Sequence, residues 1–154
     1  MHGPGTRERP VLVAWTPAEP GVRPGTRRYT PPVRHRVDYA LARRAVLREL
    51  RAGTRTVNDV CDAHPELVRA GRYVGDDADH PCPVCGGSEV RYVSYVYGDG
   101  LKRVNGTCIS SPDELARFGD RYDEFARYVV EVCIDCRWNH LHQRELHGRR
   151  YAAG

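Results

Sequence analysis

The 154-residue sequence predicts an α+β fold, in which a short helical bundle precedes a small antiparallel sheet carrying one inserted helix. Three observations predict it. Two Cys-x-x-Cys pairs, Cys82/Cys85 and Cys133/Cys136, bracket a segment of the C-terminal half. Within and beyond that segment, residues 90–97 and 138–143 change character at every step, as strands do. Ahead of it, residues 38–52 are rich in good helix formers and stop at Gly53.

Composition bounds the problem. Hydrophobic residues make up 40 % of the chain, with two Phe and one Met against nine Tyr. Such a core is thin for its length, so a metal crosslink would help most here. The formal charge of +4 is unevenly spread. Residues 1–36 hold seven Arg against two Glu, and residues 37–75 hold seven Arg against five acids. The basic character therefore precedes the cysteine pairs, where it suits nucleic acid, an acidic protein or solvent. No run approaches the roughly 20 apolar residues of a membrane span. Met1–Pro10 lacks a hydrophobic leader, and the early apolar run Val11–Trp15 is short. The expectation is a cytoplasmic protein without membrane contact.

Four segments follow from the order of signals. Residues 1–32 form a flexible Pro/Gly/Arg-rich tail, punctuated by seven prolines. Residues 33–75 form the helical region. Its first helix is expected over 33–52. A second, short helix opens on the capping pair Thr56 and Asp59 and presents Val57, Val60 and Cys61. A third begins near Pro65 and ends at Gly71. Residues 72–81 read as an acidic linker. The sheet domain occupies 76–147. It starts with a strand at Val90–Tyr97, a turn at Gly98-Asp99-Gly100 and a returning strand within Lys102–Cys108. Ser111-Pro112-Asp113-Glu114 then opens the inserted helix as a capping box. Leu115, Phe118, Tyr122 and Phe125 form its apolar stripe. Tyr128–Val132 is a strand running into Cys133, and a last strand leaves Trp138 through His140 and His142. Residues 148–154 are a flexible C-terminal tail.

The four paired cysteines carry the chemistry. A two-residue gap lets both thiolates of a pair reach one ion from a single tight turn. Gly86 and Gly87 allow the first turn to double back beside its sulfurs. Cys82, Cys85, Cys133 and Cys136 are therefore assigned as ligands of one structural Zn2+, the arrangement of a zinc ribbon. The 47 residues between Cys85 and Cys133 exceed a minimal ribbon loop, which is why a hairpin and a helix are placed there. Iron suits four thiolates too, and a redox dithiol explains only one pair at a time. Four thiolates leave no open coordination position for catalysis. His80 reads as a surface histidine. His140 and His142 are candidates for hydrogen-bonding support of the site. Cys61 and Cys108 are left as buried free thiols.

No phosphate loop, dinucleotide loop or serine elbow occurs. Asp59, Asp62, His64, Ser110 and Ser111 are explained by caps and turns, so no catalytic residue is assigned and the protein is expected to be no enzyme. Tyr92, Tyr95, Tyr97, Tyr128 and Trp138 exceed what one small sheet face hides. They are candidates to anchor a protein or stack bases, with Arg91, Lys102, Arg103 and Arg137 available for phosphates. Two functions follow. One is a zinc-stabilised adaptor or regulator bound to a protein of a larger complex, the transcription machinery among them. The alternative is direct nucleic-acid binding through basic helices, tail and sheet aromatics. No small-molecule substrate or cofactor beyond zinc is expected, and redox sensing is a third, weaker reading.

From about Val33 to Leu146 the chain resembles a family of small actinobacterial proteins of unknown function. The resembling residues are Arg36-Val-Asp-Tyr-Ala-Leu41, Asp59-Val-Cys-Asp-Ala63, Pro81-Cys-Pro-Val-Cys85, Ser111-Pro-Asp-Glu-Leu115, Val130-Glu-Val-Cys133 and Trp138-Asn-His140. The resemblance implies no activity. Zinc ribbons at large serve transcription and translation machinery, which is an analogy of fold.

Overall fold

The computed structural model describes residues 32–148. The expected tails 1–32 and 148–154 lie outside the described residues, save one residue at the inner end of each. The elements run β1 (Val33–Asp38), α1 (Ala40–Ala52), α2 (Val57–Val60), α3 (Pro65–Val74), β2 (Asp76–Asp77) and β3 (Val90–Tyr97). A 3₁₀ segment (Asp99–Val104), β4 (Thr107–Ile109), α4 (Pro112–Arg121), β5 (Glu124–Cys133) and β6 (Asn139–Gly148) complete the order. All strand pairs are antiparallel, in the order β1-β6-β5-β3-β2, with β4 also on β3. The fold is the expected α+β class. No helix among the described residues is long and apolar enough to cross a membrane.

The helix expected over 33–52 starts only at Ala40. Residues 33–38 form β1, which pairs with β6 through Arg36 opposite Glu145 and Val37 opposite Arg144. The change of structure falls at Asp38, whose carboxylate accepts the Ala40 N–H at 2.6 Å. That turn starts a helix and stops a strand in three residues. The helix ends as expected, with Gly53 at φ 77°.

The linker at 72–81 is partly regular. α3 runs through Gly71 to Val74, and Asp76 and Asp77 pair with Tyr92 and Arg91. Gly71 is a packing residue here, not a stop. A Cβ on it would meet Ile134 Cδ1 and Val132 Cγ1 at 2.9 Å. Gly71→Ala is therefore expected to destabilise by about 1–3 kcal/mol through overpacking, although alanine favours the helix. Urea denaturation checks this; an unchanged midpoint would contradict it.

Two more expectations shift. The returning strand is confined to β4, because 99–104 coils as 3₁₀ and kinks at Lys102, which has φ 48°. The inserted helix stops at Arg121, leaving Tyr122 as its cap and placing Phe125 in β5. The stripe still packs as one cluster. Leu115 and Phe125 are buried with Val96, Leu101 and Ile109, and Phe118 and Tyr122 close over them. The capping box at this helix is half as expected. Ser111 Oγ accepts the Glu114 N–H, but the Glu114 carboxylate takes the N–H and hydroxyl of Ser110. The box at Thr56 and Asp59 is complete.

Alternation along β3 distributes the layers. Val90 packs with Leu47 of α1, and Val96 packs with Leu115 of α4, on one face. Val93 packs on the other face with Val132, Ala63, Leu67 and Val68. α3 covers only the half of that face nearest the cysteines.

At the far end of the sheet a carboxylate is buried. Glu145 accepts hydrogen bonds from Arg36 (2.8 Å), Arg127 (3.3 Å) and Gln143 (2.9 Å), and pairs with His147 (3.0 Å). Burial by itself would raise the Glu145 carboxyl. The His147 hydrogen bond and the Arg127 and Arg36 charges outweigh it and hold the group below its usual range. A depressed carboxyl stabilises the fold above the unfolded value, about pH 4.3, and that contribution is lost as pH falls through the folded value. Glu145→Gln is expected to cost about 1–3 kcal/mol at pH 7. The gap to wild type should close between about pH 4.3 and lower pH. A pH-independent gap in denaturation midpoints would contradict this assignment.

Candidate metal centre

Two turns of the same construction meet at one end of the sheet. In the first, the Cys82 N–H donates to the Gly87 carbonyl (2.8 Å) and the Gly86 N–H returns to the Cys82 carbonyl (2.9 Å). In the second, the Cys133 N–H donates to the Trp138 carbonyl (2.8 Å) and the Arg137 N–H to the Cys133 carbonyl (3.0 Å). Each turn needs one residue in the left-handed region. Gly86 supplies it at φ 75°, and Arg137 does so at φ 69°. A side chain in that region costs roughly 1–2 kcal/mol. Arg137 is held there by hydrogen bonds from its guanidinium to the Ala63 carbonyl and from the Ala63 N–H to its own carbonyl. The residue itself is exposed, and its guanidinium is engaged by the Ala63 carbonyl. Arg91 is likewise engaged, with Asp77 and Glu89.

The turns bring Cys82, Cys85, Cys133 and Cys136 together, with their sulfurs all within 4.8 Å of one another. Cys82 and Cys136 lie 3.6 Å apart, and Cys85 and Cys133 lie 3.7 Å apart. A tetrahedral ion with metal–sulfur bonds of about 2.3 Å requires edges near about 3.8 Å. The cluster is therefore capable of coordinating a metal ion. Backbone N–H groups of Val84, Gly87 and Trp138 point at Cys82, Cys85 and Cys136 from 3.4 Å, and offset thiolate charge.

Burial pushes the thiols of Cys82 and Cys133 up to about 11 and that of Cys136 up to about 12. The exposed Cys85 is lowered by the Gly87 N–H. Without a metal, at least three of the thiols stay protonated at neutral pH, so metal entry displaces protons. The site sits on the core. Cys82 and Cys133 are buried with Leu47, Val60, Val90 and Trp138, which joins α1 and α2 to the sheet.

Beside the cluster lies a polar group that sequence reasoning missed. Glu131 is 1 % exposed. Arg43 of α1 binds its carboxylate with two bonds (2.8 and 2.9 Å), and Trp138 Nε1–H donates a third (3.0 Å). Burial opposes ionisation of Glu131, but these donors win and keep its carboxyl below the usual range. The sequence holds one signal of it: an acid set alone in the apolar run Tyr128–Cys133. Trp138, expected as a surface aromatic, is fully buried.

His80 bonds the Tyr92 hydroxyl (3.1 Å) and the Pro81 carbonyl (2.9 Å), and is half-buried. His140 stacks on Trp138, and His142 lies 4.6 Å from the Tyr92 ring. Cys108 is half-buried against the Val93 cluster. Cys61, expected to stand alone as a buried thiol, is partly exposed, and its Sγ lies 3.8 Å from Cys136 Sγ.

The remaining expected surface aromatics divide. Tyr95 is half-buried, and burial pushes its hydroxyl up to about 12. Tyr97 is 43 % exposed and meets Tyr128 edge-on at 5.4 Å. Arg144 lies over the Tyr128 ring and donates to its hydroxyl at 3.1 Å. These three line an open cleft of about 640 Å³ with Asp99, Asp123 and Glu124.

A model of a protein family described as a family of unknown function (DUF5318) matches residues 31–154. The chain is 42 % identical over 105 residues to the uncharacterized protein Rv0049 of Mycobacterium tuberculosis (strain H37Rv), spanning 68 % of this chain and 76 % of that one. The same figures hold for the uncharacterized protein Mb0050 of Mycobacterium bovis. No solved structure matches significantly.

Proposed function

The chain belongs to this family of unknown function, and on that premise we propose that it is a zinc-stabilised, non-enzymatic adaptor or regulator that binds a protein of a larger complex. The ion is zinc, held by Cys82, Cys85, Cys133 and Cys136 as a structural crosslink. Four thiolates close its coordination sphere and leave no position for a substrate. The two buried carboxylates, Glu131 beside the cluster and Glu145 at the far end of the sheet, are engaged by arginines and by Trp138 or His147. These observations support a role without catalysis.

The observation that carries the adaptor reading is the cleft of Tyr97, Tyr128 and Arg144 on the half of the sheet that α3 leaves uncovered. Tyrosine and arginine are the residues on which protein interfaces concentrate their energy. The edge of the cleft mixes Asp99, Asp123 and Glu124, the last paired with Arg34 at 2.8 Å, with Arg121, a balance of charge that suits a polypeptide. Zinc ribbons recur in transcription machinery, which makes that complex the first to search, by analogy of fold. Affinity purification from native lysate, divided with and without nuclease, tests the reading. One dominant partner is expected in both halves, and Tyr97→Ala with Arg144→Ala should lose it. Absence of any nuclease-resistant partner would refute the adaptor.

One observation favours the alternative. Arg44, Arg48 and Arg51 lie at four- and three-residue steps on the exposed side of α1, a basic stripe suited to phosphates. Direct nucleic-acid binding predicts affinity that falls steeply with salt. A low-salt assay showing no shift with DNA or RNA would eliminate it.

A further inference from the structure

Cys61 stands outside the two pairs, yet its sulfur lies against one of theirs. Its distance to Cys136, 3.8 Å, matches the spacings of 3.6 and 3.7 Å within the four-cysteine set. The approach is built by bonds that do not involve sulfur. Cys61 ends α2, with its N–H on the Val57 carbonyl at 2.8 Å. The following residues are tied to the second turn. Asp62 accepts from Asn139 at 2.9 Å, and Ala63 exchanges hydrogen bonds with Arg137 on both its N–H and its carbonyl. The backbone beside Cys61 is therefore fixed against the turn that holds Cys136. Both thiols are partly exposed, whereas Cys82 and Cys133 are buried.

We propose that Cys61 is an oxidant-reactive fifth thiol of the metal centre, which a hydroperoxide joins to Cys136 as a disulfide, withdrawing Cys136 from the metal. The inference rests on the metal reading of the four-cysteine cluster and goes beyond it in naming a reactive residue and its co-substrate. The Cys61 sulfur attacks hydrogen peroxide. The O–O bond breaks, Cys61 becomes a sulfenic acid, and hydroxide leaves and takes the thiol proton as water. The Cys136 thiolate then attacks that sulfur, the S–S bond forms, and a second hydroxide departs. The two sulfurs lose two electrons in all and the peroxide gains them. Forming a bond of about 2.05 Å from this separation needs an approach of roughly 1.8 Å, within the reach of side-chain rotation. A bound ion would then be held by Cys82, Cys85 and Cys133 alone and would be open to a competing chelator.

The test uses the full-length protein with the metal it carries from purification, beside Cys61→Ser and Cys61→Ala. Hydrogen peroxide is the probe. Metal release is read with a chromophoric chelator, and thiol pairing by mass spectrometry of alkylated peptides. Wild type is expected to release metal roughly tenfold faster than either variant, in step with a Cys61–Cys136 peptide that reductant removes. Equal release from wild type and variants, or disulfides confined to the other cysteines, would overturn the proposal. Should the protein carry no metal, the metal reading fails, and the presence or absence of the Cys61–Cys136 peptide still decides this one. Should both variants fail to fold, the wild-type peptide map decides it alone.

Discussion

Cys133→Ser is expected to abolish metal binding and with it most of the fold. Cys133 is fully buried, pairs with Val90 across β3 and β5, and packs with Leu47, Val60 and Trp138. Serine is a poor zinc ligand and brings an unpartnered hydroxyl into that core. Structural zinc contributes about 10–16 kcal/mol of apparent binding energy in small zinc domains, against total stabilities of about 5–15 kcal/mol. Loss of the ion is therefore on the scale of the whole folding free energy. Metal analysis and circular dichroism should show a metal-free protein without a cooperative melt. Cys108→Ser, at the half-buried thiol away from the cluster, should keep its metal. A Cys133→Ser protein with full metal content and an unchanged melt would refute the assignment.

Arg43→Ala is the second large effect, and it acts beside the cysteine cluster without touching a sulfur. Its guanidinium holds Glu131 by two bonds, and the carboxylate is 1 % exposed. Removing one member of a buried ion pair leaves an uncompensated charge and costs about 3–5 kcal/mol. Trp138 Nε1–H remains as a donor but carries no charge. Pairing Arg43→Met with Glu131→Gln should recover much of the loss, because the charge is then gone and the carbonyl of the introduced amide accepts from Trp138. Chemical denaturation of the two proteins checks this. A double variant no more stable than Arg43→Ala would refute the assignment of that loss to an uncompensated Glu131 charge.

The cysteine cluster is legible in the sequence because each half of it is local. Two residues between cysteines define a turn, and that turn repeats with the same hydrogen bonds in both halves, even where Arg137 stands in the place of Gly86. Strand β3 is equally legible, since alternating side chains report a strand wherever its partners lie. So are the caps at Thr56 and Ser111, which close within a few residues. The family resemblance rests on these same short motifs, and the mycobacterial relatives agree with it.

What the sequence hides depends on distant partners. β1 reads as helix because its hydrogen bonds go to β6, more than 100 residues later. Gly71 reads as a stop because Val132 and Ile134, which require its small size, are supplied by the end of β5 and the turn after it. Trp138 reads as a surface residue because its indole partner, Glu131, and the arginine holding that acid come from different elements. Cys61 looks solitary because 75 residues separate it from Cys136.

The sequence by itself thus determined the fold class, the four converging thiols, the helix caps at Thr56 and Ser111 and the stop at Gly53, all of which are set by interactions between near neighbours along the chain. Tertiary structure alone decided which acids are buried, which tyrosines remain exposed and which further sulfur lies against Cys136. Those outcomes depend on how antiparallel pairing folds the two ends of the chain onto one sheet, and residue types in order do not specify that juxtaposition.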